Sequence, residues 1–213
     1  MEATRVRGYG RSATQWVRAE GMLREQGLMR AGELRSRGIT AATLSRMSAD
    51  GVVVRLGRGL YQLADAPLEE QHTVAEAAKR VPRAVVCLVS ALAFHGLTDQ
   101  HPRRVWLAIG HKDWAPKLDT PPIRIVRYSK TLLAADVEHA RVEGAEVKVF
   151  GAVRTVVDLF RHERLVGIPL AIEGLKELLR SRTATVGSVA EKAQALGAWT
   201  KIRPYLETLA TDA

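Results

Sequence analysis

Arg46, Arg55 and Arg58 bring three guanidinium groups into one short stretch, and most side chains around Arg46 are small. A guanidinium is a planar fork that donates paired hydrogen bonds to a phosphate or to the edge of a guanine. Ala42, Ser45, Arg46 and Ala49 recur at helical spacing with Thr43 on the flank. A helix carrying them presents a slim edge on which only Arg46 reaches far. Such an edge suits the major groove of DNA, where bulky side chains would hold a helix off the base edges. Arg55 and Arg58 lie on or beside Leu56-Gly57-Arg58-Gly59, whose glycines let the backbone turn sharply and approach phosphates. The same residues would also suit a surface helix and an ordinary hairpin, although a merely solvated helix usually carries more Glu and Lys.

Catalytic chemistry finds no comparable grouping. His72, His95, His101, His111, His139 and His162 make no HxxxH or HExxH pair, and Cys87 has no CxxC companion. No zinc site is therefore expected, and no cofactor. Ser90 stands near His95 without the glycine-flanked elbow of a serine nucleophile, and reads as the N-cap of a helix. His95, just before Gly96, reads as a ring closing a helix end by a hydrogen bond to a backbone carbonyl. Asp113, Asp119 and Asp136 lack the strand-borne spacing of a metal-dependent nuclease. Arg154 and Asp158, four residues apart, read as a structural ion pair. The chain is not expected to be an enzyme.

The elements needed to position the arginines follow from periodicity. Trp16, Val17, Ala19, Met22 and Leu23 mark a first helix from Ala13 to about Gln26, with Ser12 as its N-cap. A second helix runs from Met29 to about Arg37 and stops at Gly38. Thr40 caps a third, which reaches Ala49 with Leu44 and Met47 facing inward. Val52–Arg55 and Leu60–Leu63 then form a β-ribbon. Helix, turn, helix and ribbon in that order describe a winged helix-turn-helix.

Asp65-Ala66-Pro67 marks a linker. A helix over Leu68–Val81 follows, then a strand at Ala84–Leu88 and a helix at Ser90–Leu97. Strands are expected at Arg104–Ile109, Ile123–Tyr128 and Ala145–Phe150, and four helices from Ala152 onward. The expected class is α+β: an N-terminal winged helix-turn-helix followed by a mixed α/β domain with a helical C-terminal tail. Its divisions are a flexible basic arm at 1–12, a DNA-binding winged helix at 13–64 and an α+β domain at 68–213. Within the last, Trp106, Trp114 and Tyr128 interleave with Lys112, Lys117, Arg124, Arg127 and Lys130. That stretch reads either as a second surface for RNA or a partner, or as core aromatics beside solvated lysines.

Charge agrees with a polyanionic partner. The chain of 213 residues carries a net charge of +9, and residues 1–64 hold 11 arginines, no lysine and only 5 acids. A hydrophobic fraction of 46% is enough to build a core and excludes a disordered tail. No apolar run approaches the roughly 20 residues that span a bilayer, so no membrane partner is expected. The basic N-terminus lacks the apolar stretch of a secretory signal, and one cysteine cannot form an internal disulfide. A cytoplasmic location is expected.

Three segments carry a family resemblance. Gly38–Leu63, GITAATLSRMSADGVVVRLGRGLYQL, is similar to the N-terminal winged helix of the AbiEi-type antitoxins of bacterial type IV toxin–antitoxin systems. Ser90–Leu97, SALAFHGL, and Ala152–Leu159, AVRTVVDL, resemble signatures of the domain that follows in that family. The resemblance implies an antitoxin-type domain over 68–213. It also implies a repressor that controls its own operon through inverted repeats in duplex DNA. The functional partner it implies is a nucleotidyltransferase-type toxin, countered without a stable complex. It assigns DNA contact to Thr40, Ala42, Thr43, Ser45, Arg46, Arg55 and Arg58. Two other readings stay open: a nucleic-acid-processing enzyme that uses the winged helix for delivery, and a toxin-binding protein that uses it for dimerisation.

Overall fold

Apolar residues at helical spacing put Ala19 and Leu23 on the buried side of the first helix, α1 (Val6–Gln26). The computed structural model describes residues 6–67 and 70–211. Helix α1 begins before the expected Ala13, so residues 6–12 are helical and Ser12 lies inside the helix instead of capping it. Gly8 and Gly10 each disfavour helix by about 1 kcal/mol relative to Ala, which hides the start from a sequence reading. Lengthening an existing helix needs no new nucleus, so the turns form regardless. Residues 1–5 of the expected arm lie outside the described residues.

After α1 come β1 (Met29–Arg30), α2 (Ala31–Ser36), α3 (Ala41–Ala49), β2 (Val53–Gly57) and β3 (Leu60–Leu63). Met29 and Arg30, expected to open a helix, instead pair antiparallel with Tyr61 and Leu60. The resulting sheet has the order β1-β3-β2. Leu34 of α2, Ile39, Leu44 and Met47 of α3, and Val53 and Leu63 of the ribbon close over Ala19, Leu23 and Met29 as one core. This is a winged helix.

The chain divides into two units, Met1–Pro82 with Arg141–Val147, and Arg83–Ala140 with Lys148–Ala213. The break thus falls at Pro82, beyond the linker read at Asp65–Pro67, and helix α4 (His72–Arg80) belongs with the winged helix. The expected helix start at Leu68 lies outside the described residues. The Arg30 guanidinium donates to the Lys79 carbonyl, at 2.9 Å from Nε, and the Lys79 ammonium reaches Glu33 at 3.0 Å. Glu33 also accepts the Arg30 N–H at 2.5 Å. Burial raises the Glu33 pKa, but the Arg30 N–H and the Lys79 charge outweigh it, so its carboxyl sits below the ordinary value.

The turn at Glu143–Gly144 completes this unit. Both residues have positive φ, 45° and 71°, as the tightest two-residue hairpin turns require. The Leu28 N–H donates to the Glu143 carbonyl at 2.9 Å, and His72 Nδ1 lies 2.7 Å from the Glu143 carboxylate. A Cβ on Gly144 would fall 1.4 Å from the Gln26 carbonyl oxygen, so only glycine fits there.

The second unit is built on a sheet of order β6-β5-β4-β8-β7, from β4 (Val85–Val86), β5 (Val105–Gly110), β6 (Ile123–Tyr128), β7 (Val137–Val142) and β8 (Ala145–Phe150). Strand β4 runs antiparallel to β5 and parallel to β8, while β5 and β6 are parallel, with Val105 opposite Ile123 and Gly110 opposite Tyr128. Helices α5 (Leu88–Phe94), α7 (Ala152–Arg161), α9 (Ile168–Arg180), α10 (Val186–Ala195) and α11 (Trp199–Thr211) share a core with Phe150, Val126 and Tyr128. Two short helices, α6 (Lys130–Ala134) and α8 (Glu163–Val166), link these elements. Strand β7 and the short helices α6 and α8 went unread in the sequence; in β7, Glu138, His139 and Arg141 interrupt any apolar alternation.

Candidate nucleic-acid interface

Helix α3 starts where Thr40 accepts the Thr43 N–H on its hydroxyl at 3.2 Å. The Thr40 N–H and hydroxyl both donate to Gln15 Oε1 of α1, at 3.3 and 3.1 Å. The Thr43 hydroxyl donates to the same oxygen at 2.8 Å. One amide oxygen therefore orients the first turn of α3. Gln15 was missed in the sequence: it stands 25 residues from Thr40, and nothing in its neighbourhood marks it.

This network removes one expected contact residue. Thr43 is 1% exposed and its hydroxyl is already engaged, so it faces α1 and not a ligand. Its position between Ala42 and Leu44 put it on the flank of the helix, and Gln15 decided which way the flank turned. Leu44 and Met47 are buried as their phase requires. Ala41, Ala42, Ser45, Arg46, Ser48 and Ala49 are exposed, and Arg46 folds back along its own helix with Nε 3.4 Å from the Ala42 carbonyl. The outer edge of α3 thus carries one long side chain among alanines and serines.

The ribbon holds Arg55 and Arg58 in solvent. Arg55 faces Tyr61 across the β2–β3 ladder, and a bulge between Arg55 and Gly57 precedes the tip at Arg58-Gly59. Gly59 turns the tip with φ +69°. Arg55 Nε donates to the Gly57 carbonyl at 3.2 Å. Neither arginine has an acidic partner among the described residues, so both charges remain available to an anion.

Residues 23–64 match the model of a family described as transcriptional regulator, AbiEi antitoxin. In this segment the winged helix is similar to that of the AbiEi antitoxin regulators. The match covers Thr40 to Arg58 entirely, so the face described above lies within the matched segment. None of the curated proteins matches the chain significantly. Among solved structures, the RV2827C protein from Mycobacterium tuberculosis superposes with a TM-score of 0.62 at 13% identity, covering 92% of this chain and 77% of that one. At that identity the likeness concerns the fold alone, and it extends beyond the AbiEi-type winged helix to nearly the whole chain.

The candidates of the second unit are structural. His95 caps α5 and its Nε2 lies 2.8 Å from the Phe150 carbonyl. Ser90 sits inside α5 instead of at its N-cap, which is Cys87, and its buried hydroxyl accepts the Trp106 N–H at 2.9 Å. The strand of apolar residues ends at Val86, two residues earlier than the sequence suggested, so helix begins at Leu88. Arg154 and Asp158 form the expected pair at 2.8 Å, and Arg161 bonds the other Asp158 oxygen at 2.7 Å. Arg154 further donates to the Leu132 and Ala135 carbonyls and lies over the Phe150 ring at 4.4 Å. Burial lowers the affinity of His162 for a proton and raises the pKa of the Tyr128 phenol and the Cys87 thiol, leaving all three neutral. Among the described residues no three His, Cys, Asp or Glu side chains converge as a metal site, and no helix is long and apolar enough to cross a membrane.

Proposed function

We propose that this chain is a DNA-binding repressor and the antitoxin of a type IV toxin–antitoxin pair, acting on its own operon through inverted repeats. The observation that carries the reading is the outer edge of α3, small and almost uncharged, beside a ribbon with two unpaired arginines. In this reading Ala42 and Ser45 let the helix backbone approach the base edges, and Arg46 reads a guanine. Arg55 and Arg58 neutralise phosphates along the flanking backbone. Thr40 orients the helix through its cap and its bonds to Gln15, with its free edge toward the groove. Paired half-sites follow from the way such modules are used in twos, with centres one or more helical turns apart.

The partner in this reading is a nucleotidyltransferase-type toxin encoded beside the antitoxin gene and countered without a lasting complex. A footprint on the chain's upstream DNA tests the repressor. Two protected half-sites in an inverted repeat are expected, and protection independent of sequence would overturn the assignment. Co-expression with the neighbouring gene product tests the antitoxin. Restored growth without co-purification is expected, whereas a stable stoichiometric complex would favour direct inhibition.

A further inference from the structure

The loop 111–122, which joins β5 to β6, carries the most exposed large hydrophobic side chain of the described residues. Trp114 is 88% exposed, whereas Trp106 and Tyr128 on the adjoining strands are buried. The aromatic stretch read in the sequence therefore separates into core rings and a single indole in water.

The loop that presents Trp114 is held firmly. Arg127 of β6 directs one guanidinium nitrogen at the carbonyls of Gly110, His111 and Asp113, at 3.0, 2.6 and 3.0 Å. The Asp113 carboxylate accepts the Gly110 N–H at 2.8 Å, and the His111 N–H donates to the Tyr128 carbonyl at 3.1 Å. The backbone leading to the indole is fixed before any ligand arrives, which reduces the ordering cost of binding. Lys112 and Lys117 flank Trp114 in the chain, are exposed, and have no ion-pair partner among the described residues. Of the two loop carboxylates, Asp113 is tied to Gly110 and Asp119 stands five residues from the indole.

A protein hot spot would need packed apolar neighbours to exclude water around the ring. Trp114 at 88% exposure has no such shell, and the apolar loop residues Ala115, Pro116 and Leu118 leave it uncovered. An uncovered ring with one exposed lysine two residues before it and another three residues after it suits a flat partner that carries phosphates. Duplex DNA keeps its base faces inside the stack, so the ring selects unpaired bases. We infer that the Trp114 loop binds single-stranded nucleic acid, stacking one unpaired base on the indole while Lys112 and Lys117 meet the neighbouring phosphates. This site shares no residue with α3 or the ribbon and does not depend on the operator reading.

The test titrates the full chain with unstructured oligouridylate and oligothymidylate of about ten nucleotides, and with a duplex of unrelated sequence. Tryptophan fluorescence and anisotropy are the readouts. Both single strands are expected to quench the emission, equally if base and phosphate suffice, and more with RNA if the ribose hydroxyl also contributes. Trp114→Ala should weaken single-strand binding about 5- to 100-fold, with Trp114→Phe intermediate. Lys112→Gln and Lys117→Gln should each lower the salt slope by about 0.7. Affinity of Trp114→Ala for the chain's upstream duplex should stay unchanged, which separates this site from the winged helix. Single-strand affinity of Trp114→Ala within about twofold of the parent, or equal quenching by the unrelated duplex, would overturn the inference.

Discussion

Arg46 and Arg154 are both helical arginines, and their surroundings differ in nearly every respect. Arg46 lies in solvent, with its Nε donating to the carbonyl one turn back on its own helix. Arg154 is 1% exposed and engaged by Asp158, two backbone carbonyls and an aromatic ring. The guanidinium is the same, but availability is not. A buried arginine is retained only because every donor finds a partner, so it has nothing to offer a ligand. An exposed arginine costs little to keep and is free to bind. The same residue type is thus engaged inside the fold in one unit and left in solvent in the other.

The largest effect should come from breaking the buried side of this contrast. Asp158→Ala leaves Arg154 and Arg161 without their shared carboxylate, at a cost of about 3–5 kcal/mol in stability. A denaturant titration checks it, and a loss below about 1 kcal/mol would show that solvent already screens the pair. Arg46→Ala should leave stability within about 0.5 kcal/mol while costing about 1–3 kcal/mol of discrimination at one base pair. Uniform weakening over all sequences would place Arg46 on phosphate instead. Arg58→Ala should act more gently still. With about six phosphates neutralised, log K falls against log salt with a slope of about −5, and the variant should reduce that slope by about one.

The smallest effect is in acid, and it also distinguishes the units. His162 in the second unit binds a proton less readily when folded, so its contribution is complete at neutral pH and declines as pH falls below the ordinary 6.5. Glu33 in the first unit is held below its ordinary 4.5, so its contribution is complete above that value and is lost as pH falls through the folded pKa. Two acid limbs should appear in stability against pH. Glu33→Gln should flatten the lower one alone, and His162→Gln the upper one alone.

The start, phase and exposed side of α3 were largely legible in advance. Thr40, Leu44, Met47 and Gly38 fix the start, phase and approach of α3 by local rules, and Gly57 and Gly59 fix the ribbon tip. Thr43 shows the limit of those rules. Its phase is marginal, and Gln15 on another helix turned it inward. Ser90 shows it again, since a serine suited to a cap is equally suited to bonding a neighbouring strand. The aromatic segment of the second unit was left open between core and surface, although Trp106 stands in the apolar run Val105–Ile109 and Trp114 follows Lys112 and Asp113 in a loop. The structure buries the first ring and exposes the second.

By itself, the sequence determined which residues form the winged helix, which side of α3 is apolar, and where positive charge accumulates. These depend on spacing within a turn or two, where backbone geometry leaves few choices. Only the tertiary structure decided that α4 and the Glu143–Gly144 turn belong with the winged helix, that Gln15 aligns α3, and that Thr43 turns inward. Those outcomes depend on partners far away in the chain, and a side chain's neighbours across space are set by packing rather than by its place in the sequence.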